Sequence, residues 1–165
     1  MQLITDRLVL RPWSLIEVAA VVDCSRAVDW ADDFPGEDDR AIGSLFDQYP
    51  DLFGEYGHRL IVERDSDLVV GSIGLDWPPS EGTLEIGCSV VASRRGRGYA
   101  SEATRALADF AFTAPGVHTV FADVDLPDPA SVRVLEKAGF QRWATEEHTA
   151  RFGITKTDHH GCETG

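Results

Sequence analysis

Short runs of alternating hydrophobic and polar residues, separated by stretches with helical spacing, predict a chain of mixed strands and helices. The alternation over 7–11 predicts a first strand, which Pro12 ends, and Ser14 can cap the helix that follows. The apolar face predicted for that helix consists of Leu15, Val18, Ala19 and Val22. A second helix is predicted to begin after 35–36, and its apolar residues are Ile42, Leu45 and Phe46.

Two hydrophobic runs in the middle of the chain predict a β-hairpin. Residues 58–64 and 68–75 each have the pattern of a strand, and the polar segment 65–67 joins them. A turn over 77–82 then leads into the next strand.

A strand, a loop rich in glycine and arginine, and a helix follow one another over 84–112. Leu84, Ile86 and Val90 carry the strand pattern, and Gly87 marks a bulge or a close approach of the backbone. The helical spacing is carried by Ala103, Leu107, Phe110 and Ala111. Alternation over 117–124 predicts the next strand, so this region implies a right-handed parallel crossover.

The loop over 93–100 has the features of an anion-binding site. Gly96 and Gly98 allow backbone N–H groups to face a ligand with no Cβ in between. The start of a helix adds unpaired N–H donors and a positive dipole end, for which pyrophosphate is a suitable ligand. Long-range attraction for phosphate would come from Arg94, Arg95 and Arg97. By itself, the stretch also fits a glycine-rich turn with solvated arginines.

The residues around the two glycines exclude two common phosphate loops. No Lys-Ser or Lys-Thr pair follows the second glycine, as an ATP or GTP loop requires. Ser101 stands where a dinucleotide fingerprint needs Gly or Ala. We therefore expect no binding of ATP or NAD.

The last third of the chain predicts a capped helix and two strands. Asp128 can cap the helix, Pro129 suits its first position, and Gly139 can end it. Alternating patterns over 141–147 and 149–155 predict the final strands.

Composition indicates one acidic domain. The 165 residues suit a single domain, 1–165, with a full core. The chain has no apolar run of about 18 residues and no basic-then-apolar leader, so we expect neither a membrane span nor a secretory signal. A net charge of −13 argues against a nucleic-acid partner. The same charge favours a cationic or amine substrate, although solubility explains it equally well.

The cysteines and the histidine-rich end predict neither disulfides nor a metal site. Cys24, Cys88 and Cys162 are scattered and odd in number, which fits a reducing cytoplasm. His159 and His160 lie near Cys162, but no second ligand pair at zinc-finger spacing accompanies them. We therefore expect no metal to be needed.

Three motifs resemble those of the GNAT N-acetyltransferases. Residues 95–100, Arg-Gly-Arg-Gly-Tyr-Ala, resemble the loop with which that family holds the pyrophosphate of acetyl-coenzyme A (acetyl-CoA). The phrase Thr-Asp-Arg-Leu-Val-Leu-Arg at 5–11 resembles the opening of the RimJ/RimL-like branch. Residues 128–140 resemble the family segment Asn-x-x-Ser-x-x-x-Leu-x-Lys-x-Gly-Phe, except that Asp128 replaces the Asn. A carboxylate can still cap the helix but cannot donate the amide hydrogen bond.

The resemblance implies an α+β (mixed α/β) fold with a GNAT-like central sheet. That sheet is mixed but mostly antiparallel, with six or seven strands and about four flanking helices. The implied reaction moves an acetyl group from acetyl-CoA to a primary amine, with a monomer or homodimer acting in the cytoplasm. In the family, the region 28–57 forms one wall of the acceptor cleft. The cofactor-binding residues that the resemblance implies are Cys88, Ser89, Val90, Arg95, Gly96, Arg97, Gly98, Tyr99, Ala100, Ser101 and Asp128.

Two side chains are candidates for proton transfer. Glu85 lies in a strand of small and apolar residues and could act as a base through water, or could be a solvated or ion-paired glutamate. Ser131 resembles the serine used as an acid in the RimJ/RimL-like branch, or is a first-turn helix hydroxyl. Leu135 stands where many GNAT enzymes have a tyrosine. Cys88 fits a small space-filling residue better than an acyl-enzyme nucleophile.

Two functions remain open at this level. The first is an N-acetyltransferase that acts by direct attack in a ternary complex, on a small molecule or on a protein N-terminus. The second is a non-catalytic domain that binds or senses acyl-CoA on the same fold, because the loop serves both. Release of free thiol from acetyl-CoA in the presence of amines would separate them.

Overall fold

Eight strands and four helices make up the fold in a computed structural model that describes residues 2–46, 48–126 and 128–156. The strands are β1 Leu3–Ile4, β2 Leu8–Pro12, β3 Arg59–Glu63, β4 Leu68–Leu75, β5 Thr83–Val90, β6 Thr119–Asp125, β7 Gln141–Thr145 and β8 Thr149–Thr155. The helices are α1 Leu15–Val22, α2 Glu37–Gly43, α3 Tyr99–Ala111 and α4 Pro129–Lys137. Short 3₁₀ turns occupy Pro50–Phe53 and Ala92–Arg94.

All the strands belong to one sheet in the order β1-β2-β3-β4-β5-β6-β8-β7. Every neighbouring pair is antiparallel except β5 and β6, which are parallel and are joined through α3. The predicted mixed, mostly antiparallel sheet with a parallel crossover is therefore confirmed. The sheet has one strand more than predicted because β1, which is two residues long, pairs Leu3 with Leu10 and Ile4 with Val9. A strand that short leaves no pattern in the sequence.

The core lies along the middle strands of the sheet. In β4 every residue after the first is buried, and Leu8, Leu60 and Leu107 have no exposed surface. Burying such a side chain contributes about 1.5–3 kcal/mol to folding. These contacts hold β4, β5 and α3 together as a rigid support for the segment between β5 and α3.

Helix α1 begins as predicted. The Ser14 hydroxyl accepts a bond from the Glu17 N–H, at 3.2 Å, and the Glu17 carboxylate accepts one from the Ser14 N–H, at 3.1 Å. Two N–H groups at the helix start are thereby satisfied, as in a capping box.

The predicted apolar face of α1 is wrong except at Val18, since Leu15, Ala19 and Val22 are exposed. Leu15 and Val22 are 72% and 57% exposed, whereas Glu17, Val18, Ala20 and Val21 are buried. The helix turns Glu17 inward because Arg11 binds its carboxylate with two hydrogen bonds of 2.7 and 2.8 Å. The ion pair between Arg11 and Glu17 therefore explains why part of the predicted polar face of the helix is buried.

The remaining predicted elements form with small differences in length. The hairpin of β3 and β4 is present, and α2 begins after Gly36 but ends at Gly43. Phe46 therefore follows the helix, where its ring packs edge-on against Phe53 at 5.0 Å. Helix α4 starts at Pro129, and Gly139, with φ of 96°, follows its end.

Candidate active site

A cleft opens where β5 and β6 separate. The two strands pair only through Thr83–Thr119, Leu84–Val120 and Glu85–Phe121, and beyond Glu85 they diverge. The cleft between them has a volume of about 920 Å³. Because β6 no longer runs beside β5 there, the backbone groups along that edge of β5 have no neighbouring strand to pair with.

The cleft brings together most of the residues that the sequence singles out. Its walls come from the second half of β5, the loop before α3, the second half of β6 and the first turns of α4. Site residues that line it are Cys88, Ser89, Val90, Arg95, Gly96, Gly98, Tyr99, Ala100, Ser101, Asp128 and Ser131. Neither Glu85 nor Arg97 lines it.

The loop between β5 and α3 presents unpaired backbone donors. Gly96 and Gly98 have φ of 79° and 84°, which glycine adopts without strain. The N–H groups of 96–101 have no acceptor among the described residues, since the first bond of the helix start runs from Glu102 N to the Gly98 carbonyl. A row of free N–H groups at the start of a helix is a site for an anionic group.

A buried carboxylate, Glu63 at the end of β3, holds this loop in place. It accepts bonds from the Tyr99 hydroxyl at 2.7 Å, from Arg94 Nε at 3.2 Å and from Arg97 Nη1 at 3.2 Å. Two of the three arginines that the sequence offers to phosphate are thus paired with a carboxylate. Arg95 is placed differently. Its Nε donates to the Val90 carbonyl at 3.0 Å, and Arg95 lines the cleft.

Several hydrogen bonds keep Glu63 ionised. Burial alone would raise the pKa of Glu63, but the bonds from Ser66, Tyr99 and Arg94 outweigh burial and lower that pKa below its ordinary value. Nothing in the sequence around Glu63 indicates this role, since it depends on pairing across the sheet.

Arg7, from the opening phrase of the chain, holds the loop from the other side. Its Nη1 donates to the Arg97 carbonyl at 2.6 Å, and its Nε donates to Glu102 at 2.8 Å. The guanidinium also lies over the ring of Tyr99, 4.9 Å from its centre. With the Arg97 carbonyl bound by Arg7, the loop keeps one orientation. The opening phrase was the available signal for this contact.

At the far wall of the cleft, Asp128 caps α4 and binds Ser131. The carboxylate accepts from Ser131 N at 3.2 Å and from the Ser131 hydroxyl at 2.7 Å. These bonds lower the pKa of Asp128, so it is a carboxylate at neutral pH. Leu135, one turn further on, also lines the cleft, and its side chain has no proton to donate.

Glu85 lies at the last paired position of β5, at the edge of the cleft. Partial burial, together with the negative charges of Asp76 and Asp123, raises the pKa of Glu85, and Arg151 opposes this shift. A raised pKa makes a carboxylate a better proton acceptor near neutral pH.

The thiol of Cys88 faces the cleft and the Thr104 side of α3. The cleft leaves part of Cys88 open to solvent. Its thiol, however, is surrounded mostly by protein. Burial of the thiol raises the pKa of Cys88 to about 12, so the thiol is protonated at physiological pH.

The part of the chain that the structure describes contains neither a metal-binding cluster nor a helix that could span a membrane. No group of three or more His, Cys, Asp or Glu side chains there is placed to hold a metal ion. His159, His160 and Cys162 lie outside the described residues. No described helix combines the length and apolar character needed to cross a bilayer.

The two parallel strands diverge, and free N–H groups lie at the start of the helix that joins them, so the cleft is suited to an extended ligand with an anionic group. The chain belongs to the acetyltransferase (GNAT) domain family, which it matches over residues 7–141.

Known proteins agree with this assignment. The uncharacterized N-acetyltransferase p20 of Bacillus licheniformis is 30% identical over 92 residues, 55% of this chain and 52% of the relative. The chain thus spans about half the length of that relative. A GNAT-family acetyltransferase from Bacillus anthracis has the same fold, with a TM-score of 0.71, 22% identity, and coverage of 95% of this chain and 99% of that chain.

A second solved structure with this fold contains bound ligands. It is the spermidine N-acetyltransferase of Vibrio cholerae in complex with CoA and spermine, with a TM-score of 0.67 and 15% identity. The match covers 94% of this chain and 99% of that chain. At this identity the likeness concerns the fold.

Replacing Glu63 by Gln should destabilise the protein and loosen the loop. We expect a loss of about 1–3 kcal/mol at pH 7, since hydrogen bonds to a charged group are replaced by weaker ones. Because the folded pKa of Glu63 is depressed, its contribution is present above the ordinary glutamate pKa and is lost as the pH falls through the folded pKa. The gap between wild type and Glu63→Gln should therefore narrow in acid, as measured by urea unfolding at several pH values.

The control for this prediction is Asp65→Asn, an exposed change in the same hairpin. It should leave stability within about 0.5 kcal/mol of wild type. An unchanged unfolding midpoint for Glu63→Gln at pH 7 would contradict the role given to Glu63.

Proposed function

We propose that this protein is an acetyl-CoA-dependent N-acetyltransferase that acetylates a primary amine by direct attack in a ternary complex. The observation that carries the proposal is the row of unpaired N–H groups over 96–101 at the end of an open cleft. Family membership supports the same reaction.

The cosubstrate fits the cleft in an extended form. The pyrophosphate binds the N–H groups of the loop, with Arg95 nearby, and the pantetheine arm runs along Cys88, Ser89 and Val90. There the unpaired backbone of β5 supplies donors and acceptors to the amide groups of the arm. A backbone N–H in this segment polarises the thioester carbonyl.

The acceptor approaches from the face of the sheet that carries Glu85. Asp76 and Asp123 flank Glu85 on that face, and the whole chain has a net charge of −13. Such a field favours an ammonium group, on a small molecule or at a protein N-terminus. Assignment to the RimJ/RimL-like branch is part of this proposal and is supported by the opening phrase at 5–11.

A cytoplasmic location completes the proposal. Cys24 and Cys88 are both free, as expected of a protein kept in a reducing compartment. Either a monomer or a homodimer would suit the reaction, since the cleft is built from one chain.

In the proposed reaction the amine nitrogen attacks the thioester carbon, a C–N bond forms and the C–S bond breaks. Glu85 assists removal of the amine proton through water, in keeping with its place at the cleft edge. Ser131 meets the leaving sulfur from the first turn of α4. Its hydroxyl must turn from Asp128 to do so.

The second candidate is a non-catalytic domain that binds or senses acyl-CoA. The observation in its favour is that Leu135 offers no proton at the wall of the cleft where a tyrosine would. Release of free CoA thiol with a panel of amines distinguishes the two, since a sensor domain binds acetyl-CoA without consuming it. The panel consists of n-butylamine, spermidine and a peptide with a free N-terminal alanine.

Replacing Gly98 by Glu should abolish binding of acetyl-CoA. A Cβ on Gly98 would lie 3.2 Å from Arg7 Nη2, so the new side chain would crowd the arginine that binds the loop and add a negative charge beside the proposed phosphate site. A positive φ is also unfavourable for Glu. Calorimetric titration with acetyl-CoA measures the loss directly.

Gly116→Glu is the matched control for Gly98→Glu. Gly116 has a similar φ of 81° and open space around its Cβ position, but lies in the turn between α3 and β6. It should suffer the same backbone strain and still bind acetyl-CoA. Equal affinity in Gly98→Glu and wild type would rule out the proposed pyrophosphate site.

Replacing Glu85 by Gln should lower turnover by about 10²–10⁴-fold, the usual effect of losing a positioned base. The pH optimum should move upward, because the amine then loses its proton only to water or hydroxide. Ser131→Ala should lower turnover less, since a CoA thiolate is already a tolerable leaving group. Steady-state rates across pH, with acetyl-CoA affinity unchanged, check both.

For Glu85→Gln the control is Glu81→Gln, an exposed change in the turn before β5. Its rate should equal that of wild type. Near-normal turnover of Glu85→Gln across pH would assign proton removal to another group.

Replacing Cys88 by Ala should leave most of the activity. A thiol with a pKa of about 12 carries almost no thiolate near neutral pH, and so forms no acyl-enzyme. Mass spectrometry after mixing wild type with acetyl-CoA should show no acetylated protein. A stable acetyl adduct on Cys88 would contradict direct attack.

A further inference from the structure

A side branch leaves the cleft on the face of the sheet that carries α2. It has a volume of about 310 Å³ and shares Asp38, Gly87, Cys88 and Ser89 with the main cleft. The two spaces therefore meet at the segment of β5 where the proposed thioester arm would end. A group in this branch can reach the arm without crossing the sheet.

Two glycines form the floor at this junction. Gly74 on β4 and Gly87 on β5 are direct partners across the strands. A Cβ on Gly74 would lie 1.9 Å from His58 Nδ1, so the imidazole covers that glycine and no other residue fits beneath it. A Cβ on Gly87 would meet nothing within 4 Å, so the neighbouring half of the floor is open.

His58 is a buried titratable group that the mechanism above does not use. It is 6% exposed, lines the branch, and its ring makes no hydrogen bond within the described parts of the chain. Its Nε2 lies 3.9 Å from Asp76 Oδ1, which is too long for a hydrogen bond. Asp76 lies outside the lining of the branch, and a nitrogen to one side of the line that joins these two atoms can lie at about 2.8–3.0 Å from both.

The charges around the ring set its state. Burial lowers the pKa of His58, and Asp76 partly opposes this, so the ring is neutral and able to accept a proton at pH 7. Asp38 lines the same space from α2, and Cys88 lines it from β5. Glu85, two residues before Gly87 on β5, lies outside the lining of the branch. The nearby Asp39 carboxylate accepts hydrogen bonds from the Ser72 hydroxyl and the Gly36 N–H.

We infer that the ammonium group of the acceptor binds between His58 Nε2 and Asp76, over Gly87, and that His58 takes its proton. This inference rests on the proposed acetyl transfer and names the group that receives the proton first. Asp76 contributes the charge that holds the ammonium and then stabilises the imidazolium. Glu85, one position further along the same face, passes the proton to water.

The protons balance in this scheme. The ammonium gives one proton to His58 Nε2, and the neutral amine attacks the thioester carbon. The second proton leaves the nitrogen as the C–S bond breaks, and it ends on the CoA sulfur. His58 returns its proton to solvent before the next turnover.

His58→Gln should lower kcat/KM by about 10²–10⁴-fold with the amine of the panel that wild type acetylates fastest. It should also remove the loss of activity in acid that protonation of His58 causes, while acetyl-CoA affinity stays unchanged. His118→Gln is the matched control, because His118 is exposed and bonds to Thr119. Its rate and pH profile should equal those of wild type.

Asp76→Asn provides a second variant that does not disturb the buried ring. Asp76 raises the pKa of His58, so removing its charge should move the acid limb of the profile to lower pH. The KM for the amine should rise about tenfold, as expected for a lost charge-assisted hydrogen bond. Because Asp76 also raises the pKa of Glu85, the shift supports the inference only when the acid limb is also lost in His58→Gln.

A binding experiment tests the same inference without turnover. In protein with ¹⁵N-labelled histidine and bound CoA, n-butylammonium should shift the His58 ring signals and lower the pH at which they titrate. The His118 signals should not move. This readout does not depend on acetyl transfer.

Two failures can be told apart. No thiol release with any amine of the panel would reject the proposed acetyl transfer, and this inference with it. Transfer by wild type, with an unaltered acid limb in His58→Gln, would reject the inference alone. Unmoved His58 signals with n-butylammonium would reject it as well.

Discussion

The separation of β5 from β6 after Glu85 is the constraint on which the site depends. Parallel pairing up to that point fixes where the two strands start, and α3 fixes how they are joined. Beyond it, β5 keeps its partner on one side through β4 and loses the other. An interior strand with one unpaired edge leaves backbone N–H and C=O groups without partners, and here a cleft large enough for an extended ligand lies along that edge.

Contacts from distant strands stabilise the loop at the end of this cleft. Glu63 accepts hydrogen bonds from Arg94 and Arg97, and Arg7 donates a hydrogen bond to the carbonyl of Arg97. Arginine side chains next to the loop are thereby satisfied within the protein, and the backbone N–H groups are left for a ligand. The candidate anion site is consequently formed by the backbone more than by the arginines.

Local patterns predicted the fold because its elements follow simple periodicities. The β5–loop–α3 unit, the hairpin and the cap at Asp128 all rest on residues close together in sequence, and the structure contains each of them. Glu17 and Glu63 show the limit of such reasoning, since both are buried through ion pairs with residues elsewhere. His58 shows a further limit, because its place in the branch depends on Gly74 beneath it.

The contact between Arg7 and Arg97 joins residues 90 positions apart, so the site forms only when distant parts of the chain come together. A fragment containing only the β5–loop–α3 unit lacks Glu63 and Arg7, so the candidate anion site is complete only once these non-local contacts have formed. A ligand at the loop then selects the completed fold and stabilises it by about 2.7 kcal/mol at a hundredfold excess over Kd. Trimming the chain before β2 would weaken this linkage between ligand and fold.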